Sequence, residues 1–249
     1  MLKKLSNQFY KLQQASSLQG AISVMFLRIC GILLLFGITI FLTNYYDPKA
    51  VGAYEFTRSS LFLIGGFVLL GTDQSILFFS GRFAKKDQVR ALFGIYLKMV
   101  KMLLLASLLI LVIALLTPKS AYRVVFNDST SGYLLIWVSF CLFFYAITLL
   151  NTEFFRGFSL QGKSELYRGI FKQLPFGLGL LILLFFKNQN YVVEVFLGSF
   201  VLLALISSLE ILKIYRKSIP KKAYPLKYLL KQFLNQQYLF QSVRWGFIC

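Results

Sequence analysis

Two long apolar runs joined by a short polar turn, each with an arginine set inside it, restrict this chain more than any other feature. The first run, residues 20–43, is interrupted by charge once, at Arg28. The turn Asn44-Tyr45-Tyr46-Asp47-Pro48-Lys49-Ala50 follows, and then residues 51–71, with Glu55 and Arg58 in the first two turns. About 20 apolar residues at 1.5 Å rise cross a hydrocarbon core of roughly 30 Å, so each run is long enough to traverse a bilayer. An arginine inside such a run costs roughly 2.5–3.5 kcal/mol on insertion scales and marks a functional site by default. What those charges face decides what the chain does.

Composition fixes the class. Hydrophobic residues make up 57% and charged residues 14%, against roughly 25% charged in soluble domains. The chain reads as an all-α polytopic membrane protein with six spans, at about 20–43, 51–71, 92–117, 132–153, 169–187 and 190–213. The basic segment 1–19 is no signal peptide, because the apolar run after it is longer than an h-region, contains Arg28 and lacks a small-residue cleavage site. The net charge of +18 is topological. Alternate connections carry Lys3, Lys4 and Lys11; Arg82, Lys85, Lys86 and Arg90; Arg156, Lys163, Arg168 and Lys172; and seven further lysines and arginines between Lys213 and Lys231. The opposite connections hold Lys49, Lys119, Arg123 and Lys187. The positive-inside rule then puts the N-terminus and the basic loops in the cytoplasm, with anionic membrane lipid as their partner and no nucleic acid.

Several features along the chain have ordinary explanations. Ile76-Leu77-Phe78-Phe79 could continue the second span before Ser80-Gly81-Arg82 ends it, which places Asp73 near the cytoplasmic end. Gly65, Gly66 and Gly71 allow close helix approach or bending. Lys98 and Lys101 fall in the first turns of span three, where snorkelling accounts for them. Glu153 and Arg156 are i,i+3, a spacing that suits a local ion pair. Pro175 in span five removes one backbone hydrogen bond, as in many kinked helices. Beyond span six, Leu226, Leu229, Leu230, Phe233 and Leu234 repeat with helical spacing beside Lys227 and Lys231, which reads as an amphipathic helix on the cytoplasmic surface. The run from Tyr238 to Cys249 reads as the truncated start of a seventh span. The divisions are therefore a cytoplasmic segment (1–19), a six-helix transmembrane lobe (20–213), and a basic amphipathic linker with that start (214–249).

Absent residue types narrow the chemistry. There is no histidine, which removes histidine acid–base catalysis and histidine metal sites. Cys30, Cys141 and Cys249 are far apart and read as small hydrophobes. No Walker loop is present, and the connecting loops are too short for an extramembrane catalytic domain. The expectation is a protein that is not an enzyme and carries no cofactor or metal.

The opening hairpin resembles the start of the polysaccharide flippases, the Wzx-type O-antigen and repeat-unit exporters of the multidrug/oligosaccharidyl-lipid/polysaccharide exporter superfamily. The residues that carry the resemblance are Arg28, the connector Tyr46-Asp47-Pro48-Lys49-Ala50-Val51-Gly52-Ala53-Tyr54, the run Ser59-Ser60-Leu61, and Leu69-Leu70-Gly71-Thr72-Asp73-Gln74-Ser75. Arg156-Gly157 followed by Gly162-Lys163 is a second echo. Val51 stands where the family usually has an aromatic, and Thr72-Asp73 is more polar than usual.

The resemblance implies the first six-helix lobe of a two-lobe transporter, plus the linker to helix seven. It further implies that an undecaprenyl-diphosphate-linked oligosaccharide of O-antigen or lipopolysaccharide biosynthesis is turned over across the bacterial inner membrane by alternating access. A second six-helix lobe, in the same or a separate chain, would complete the cavity. Arg28 lies about 12 Å from the cytoplasmic end and Arg58 about 10 Å from the outer end, a staggered ladder for an anionic head group. Glu55 is read either as a counter-charge for Arg58 or as part of that ladder. Asp73, Glu153 and Arg156 complete the candidate substrate-binding set, with interfacial or structural roles as their alternative. Three other functions compete, one of them a membrane-embedded glycan polymerase or ligase, which would need a long outer loop with catalytic groups that this sequence does not show. A cation-coupled drug antiporter of the same superfamily would favour deep acidic residues, and a non-transporting truncated fragment would need no cavity.

Overall fold

In the computed structural model, which describes residues 2–69, 71–82, 89–118, 130–186 and 188–218, the first apolar run is the second part of one unbroken helix, α1 (Leu2–Tyr45). The helix passes through position 19 without a break, so segment 1–19 joins the first span directly. After the Tyr46-Asp47 turn comes α2 (Pro48–Leu69), with proline at its first position, where a missing N–H costs nothing.

The second run does not end as a straight rod. Helix α3 (Thr72–Arg82) continues it at an angle of 51°. Gly71 sits at the corner with φ of +76°, a left-handed conformation that glycine adopts without the Cβ penalty. Ile76–Phe79 thus do extend the run, but in a new direction.

Helices α4 (Val89–Leu116) and α5 (Thr130–Gly157) supply spans three and four. The fifth span starts earlier than its apolar content indicates. It comprises α6 (Gln161–Glu165), a π-helical turn (Leu166–Phe171) and α7 (Lys172–Phe185) in one continuous run. The wide turn ends at Phe171, whose carbonyl is the one that Pro175 cannot serve for lack of an N–H. A short 3-10 turn (Gln189–Tyr191) leads into α8 (Val192–Ser218). Among the described residues five helices are long and apolar enough to span a membrane, and the α2–α3 pair makes a sixth if its two limbs count as one span. The amphipathic linker helix and the seventh-span start fall on residues outside the described ones.

Helix α5 is the hub. It packs against α8, α4, α2 and α3 and buries Val138, Leu142, Ala146, Leu150 and Phe155. Polar contacts fix its register. Buried Tyr96 of α4 donates to Oδ1 of Asn151 at 2.7 Å, and Asn151 Nδ2 donates to Ser207 Oγ at 2.8 Å and Ser208 Oγ at 3.1 Å on α8. In hydrocarbon such groups have no water to turn to, so they bond across helices. The outward surface is the reverse of a soluble protein. Leu104, Leu105, Leu108, Leu109 and Ile113 of α4 are all exposed, an apolar face that suits lipid contact. The chain is an all-α, multi-pass membrane protein.

An aromatic column runs through the bundle. Tyr54 stacks on Phe176 (centroids 4.9 Å apart), Phe176 meets Phe196 edge-on, and Phe196 meets Phe200. Tyr145 continues the series from Phe200, and Phe62 stacks on Tyr145 at 5.7 Å. The column joins α2, α7, α8 and α5.

Helix α1 reaches the rest of the lobe mainly through the fifth span. A Cβ on Gly31 would lie 2.8 Å from the Cα of Gly169 in the π turn. Only two glycines allow this backbone approach, which brings Arg28, one turn before Gly31, level with Glu165, four residues before Gly169.

Candidate functional site

Arg28 does not stand alone in its span. Its Nη2 donates to Glu165 Oε1 at 2.8 Å, from α1 to α6. The carboxylate side is buried (8% exposed) and the guanidinium side is open (57%). Glu165 sits in a helix that the apolar periodicity had assigned to a loop.

Arg58 and Glu55 pair at 3.2 Å on α2, as their i,i+3 spacing indicates. Glu153, at the end of α5, is almost fully buried and faces two cations. Arg156 approaches Oε2 at 3.7 Å, and Arg168 of the π turn donates to Oε1. The local pair expected from sequence is thus present, but the closer partner comes from the next span. Asp73 opens α3, accepts from Gln74 Nε2 at 3.5 Å, and lies within electrostatic range of Arg168. Lys98 and Lys101 are exposed on α4.

The residues that sequence reasoning missed are Glu165, Arg168 and Lys172. Arg168 and Lys172 group in sequence with the basic cytoplasmic connection, Lys172 just inside the expected limit of span five, and the structure puts both well inside the span Gln161–Phe185. That span is the least hydropathic of the five, with a mean of 1.4 over its window. Glu165, Arg168 and Lys172 recur at i, i+3 and i+7, one helical face, and that periodicity was the available signal.

Lys172 has an unusual setting. Its Nζ lies 4.4 Å from the Phe62 ring centroid and 5.8 Å from those of Tyr145 and Phe200. The lysine is therefore seated at one end of the aromatic column, held by ring quadrupoles. Arg58 Cζ lies 5.6 Å from the same Phe62 ring. Among the described residues no carboxylate forms an ion pair with Lys172.

Arg58 and Arg168 are both within electrostatic range of Lys172, and Arg28 is within range of Arg168. Four of the cations form one series, Arg58–Lys172–Arg168–Arg28, drawn from α2, α7, the π turn and α1. Glu153, Glu165 and Glu55 offset part of their charge. Such a set attracts and orders oxyanions in a low-dielectric environment. Among the described residues no cluster of histidine, cysteine or acidic side chains is arranged to hold a metal ion.

Comparison of the chain with protein-family models, with characterised proteins and with solved structures gives no match.

Proposed function

We propose that the chain is one lobe of a transporter that turns an anionic, lipid-linked oligosaccharide across the bacterial inner membrane. The observation that carries this reading is that Arg28, Arg168 and Lys172 lie within helices long and apolar enough to span a membrane and Arg58 within the bent α2–α3 pair, with Arg58 and Lys172 over the same Phe62 ring. With the N-terminus in the cytoplasm, Arg28 and Arg168 lie in the cytoplasmic half, Lys172 about 16 Å from the start of its span, and Arg58 in the outer half. A head group bearing diphosphate would meet positive charge at several depths, while its hydrocarbon tail stayed in lipid.

Cations facing acyl chains are costly, so the open side of this series calls for cover. A second six-helix lobe, in the same chain or another, would supply it and enclose a wet cavity. The cation-coupled drug antiporter is the weaker reading, because Glu55, Glu153 and Glu165 are each occupied by arginine instead of standing open to a cationic ligand. A non-transporting fragment gives no reason for four cations at these depths.

The test is complementation of a bacterium lacking its repeat-unit flippase, with this chain alone and with a co-expressed second lobe. Restored surface polysaccharide that Arg28→Ala abolishes, and Arg28→Lys partly retains, at equal membrane levels is the expected result. Unchanged export by the alanine variant would sink the reading.

A further inference from the structure

Resting on that reading, we infer that Lys172 is the residue through which the lobe grips a substrate phosphoryl group, with Arg58 closing on the same group beside the Phe62 ring. Neither the apolar pattern nor the hairpin motif points to Lys172; the argument comes from how the four cations are partnered.

Each arginine of the series already has a carboxylate. Arg28 bonds Glu165, Arg58 bonds Glu55 and Arg168 bonds Glu153. An incoming oxyanion must displace or share with that carboxylate. Lys172 differs, since Phe62, Tyr145 and Phe200 hold its ammonium and none of these rings carries a formal negative charge. The rings fix the ammonium in place and leave its charge unneutralised, which preorganises it for a ligand.

Position supports the same assignment. Arg58 and Lys172 both lie over Phe62, so the two charges are at most about 10 Å apart. A diphosphate accepting one charge-assisted hydrogen bond of about 2.8 Å at each end bridges that gap. The Arg58–Glu55 contact is long, at 3.2 and 3.3 Å, and Glu55 is 43% exposed, so Arg58 can turn from Glu55 to a ligand. Arg28 and Arg168, whose carboxylates are almost fully buried, are tied more firmly and serve to position and attract.

The experiment uses the full chain in phosphatidylcholine nanodiscs and measures equilibrium binding of labelled geranylgeranyl diphosphate. Geranylgeraniol and inorganic pyrophosphate serve as competitors for tail and head. Lys172→Met keeps length and apolar contact with the rings but removes the charge. It should leave the melting temperature within a few degrees and weaken binding at least tenfold, whereas Lys172→Arg stays within about threefold. Lys172→Gln, should the methionine variant fold poorly, gives the same loss. Glu55→Gln, which frees Arg58, tightens binding. Pyrophosphate competes and geranylgeraniol does not.

Binding by a folded Lys172→Met or Lys172→Gln variant within twofold of the parent overturns the inference. If Arg28→Ala and Arg168→Ala then still weaken binding, the wider functional reading stands and only the role of Lys172 falls. If the parent chain prefers geranylgeranyl diphosphate no more than geranylgeraniol, both fall.

Discussion

The guanidinium of Arg28 and the carboxylate of Glu165 meet at 2.8 Å, across a sequence separation of 137 residues. One is open and the other nearly buried, so the pair is asymmetric in what its loss does. Arg28→Ala leaves a buried carboxylate without its cation, while Glu165→Gln leaves an exposed arginine that finds other partners. The alanine variant should therefore lose more stability, about 1–3 kcal/mol, than the glutamine variant. Thermal unfolding of the two single variants and the double variant in detergent measures this, and a coupling indistinguishable from zero would deny the contact.

The approach of α1 to the π turn depends on bare backbone. Gly31→Ala places a methyl 2.8 Å from the Cα of Gly169, whereas a Cβ at Gly37 on the same helix meets nothing within 4 Å. Gly31→Ala should cost about 1–3 kcal/mol by forced backbone movement and Gly37→Ala should be neutral or slightly stabilising. Paired melting curves decide it. Equal effects would mean that the helices do not cross there.

Gly71 makes a different demand. The space around its Cα is open, so only the φ of +76° resists substitution. Gly71→Ala should cost about 1–2 kcal/mol and Gly71→Asn less, since asparagine tolerates this region. Identical melting temperatures for the parent and both variants would mean that the α2–α3 corner is not left-handed.

At the hub, Asn151→Leu removes the bonds to Tyr96, Ser207 and Ser208 together. The expected loss is about 1–2 kcal/mol, modest because polar groups in the membrane-embedded unfolded state also find partners. Asn151→Asp, protonated in this buried site, keeps the acceptor for Tyr96 and offers one O–H donor in place of two N–H donors, and should fall between parent and leucine variant. Urea or detergent-titrated unfolding reads the order.

Much of the candidate site was legible in part. Arg28 stood out because a charge within an apolar run is conspicuous by itself, and Glu55–Arg58 and Glu153–Arg156 followed from helical spacing. Lys172 did not stand out. Its segment carries Glu165, Arg168 and Gln173 nearby, and their polarity dilutes the local hydropathy to the point where the span reads as starting later. Arg168 was read as a loop cation for the same reason, although it bonds the buried Glu153.

What the sequence determined by itself was membrane residence, the approximate limits of most of the spans, and the presence of Arg28 within an apolar run. Partition into hydrocarbon is a sum over one contiguous segment, so a window along the chain contains it. Tertiary structure alone decided that Glu165 answers Arg28, that Gly31 and Gly169 let it do so, and that Lys172 rests on Phe62, Tyr145 and Phe200. Those partners lie on different helices, and whether a charge is neutralised depends on distances of a few ångströms between them. A one-dimensional pattern records the cost of placing a charge in lipid; only the folded lobe shows what compensates it.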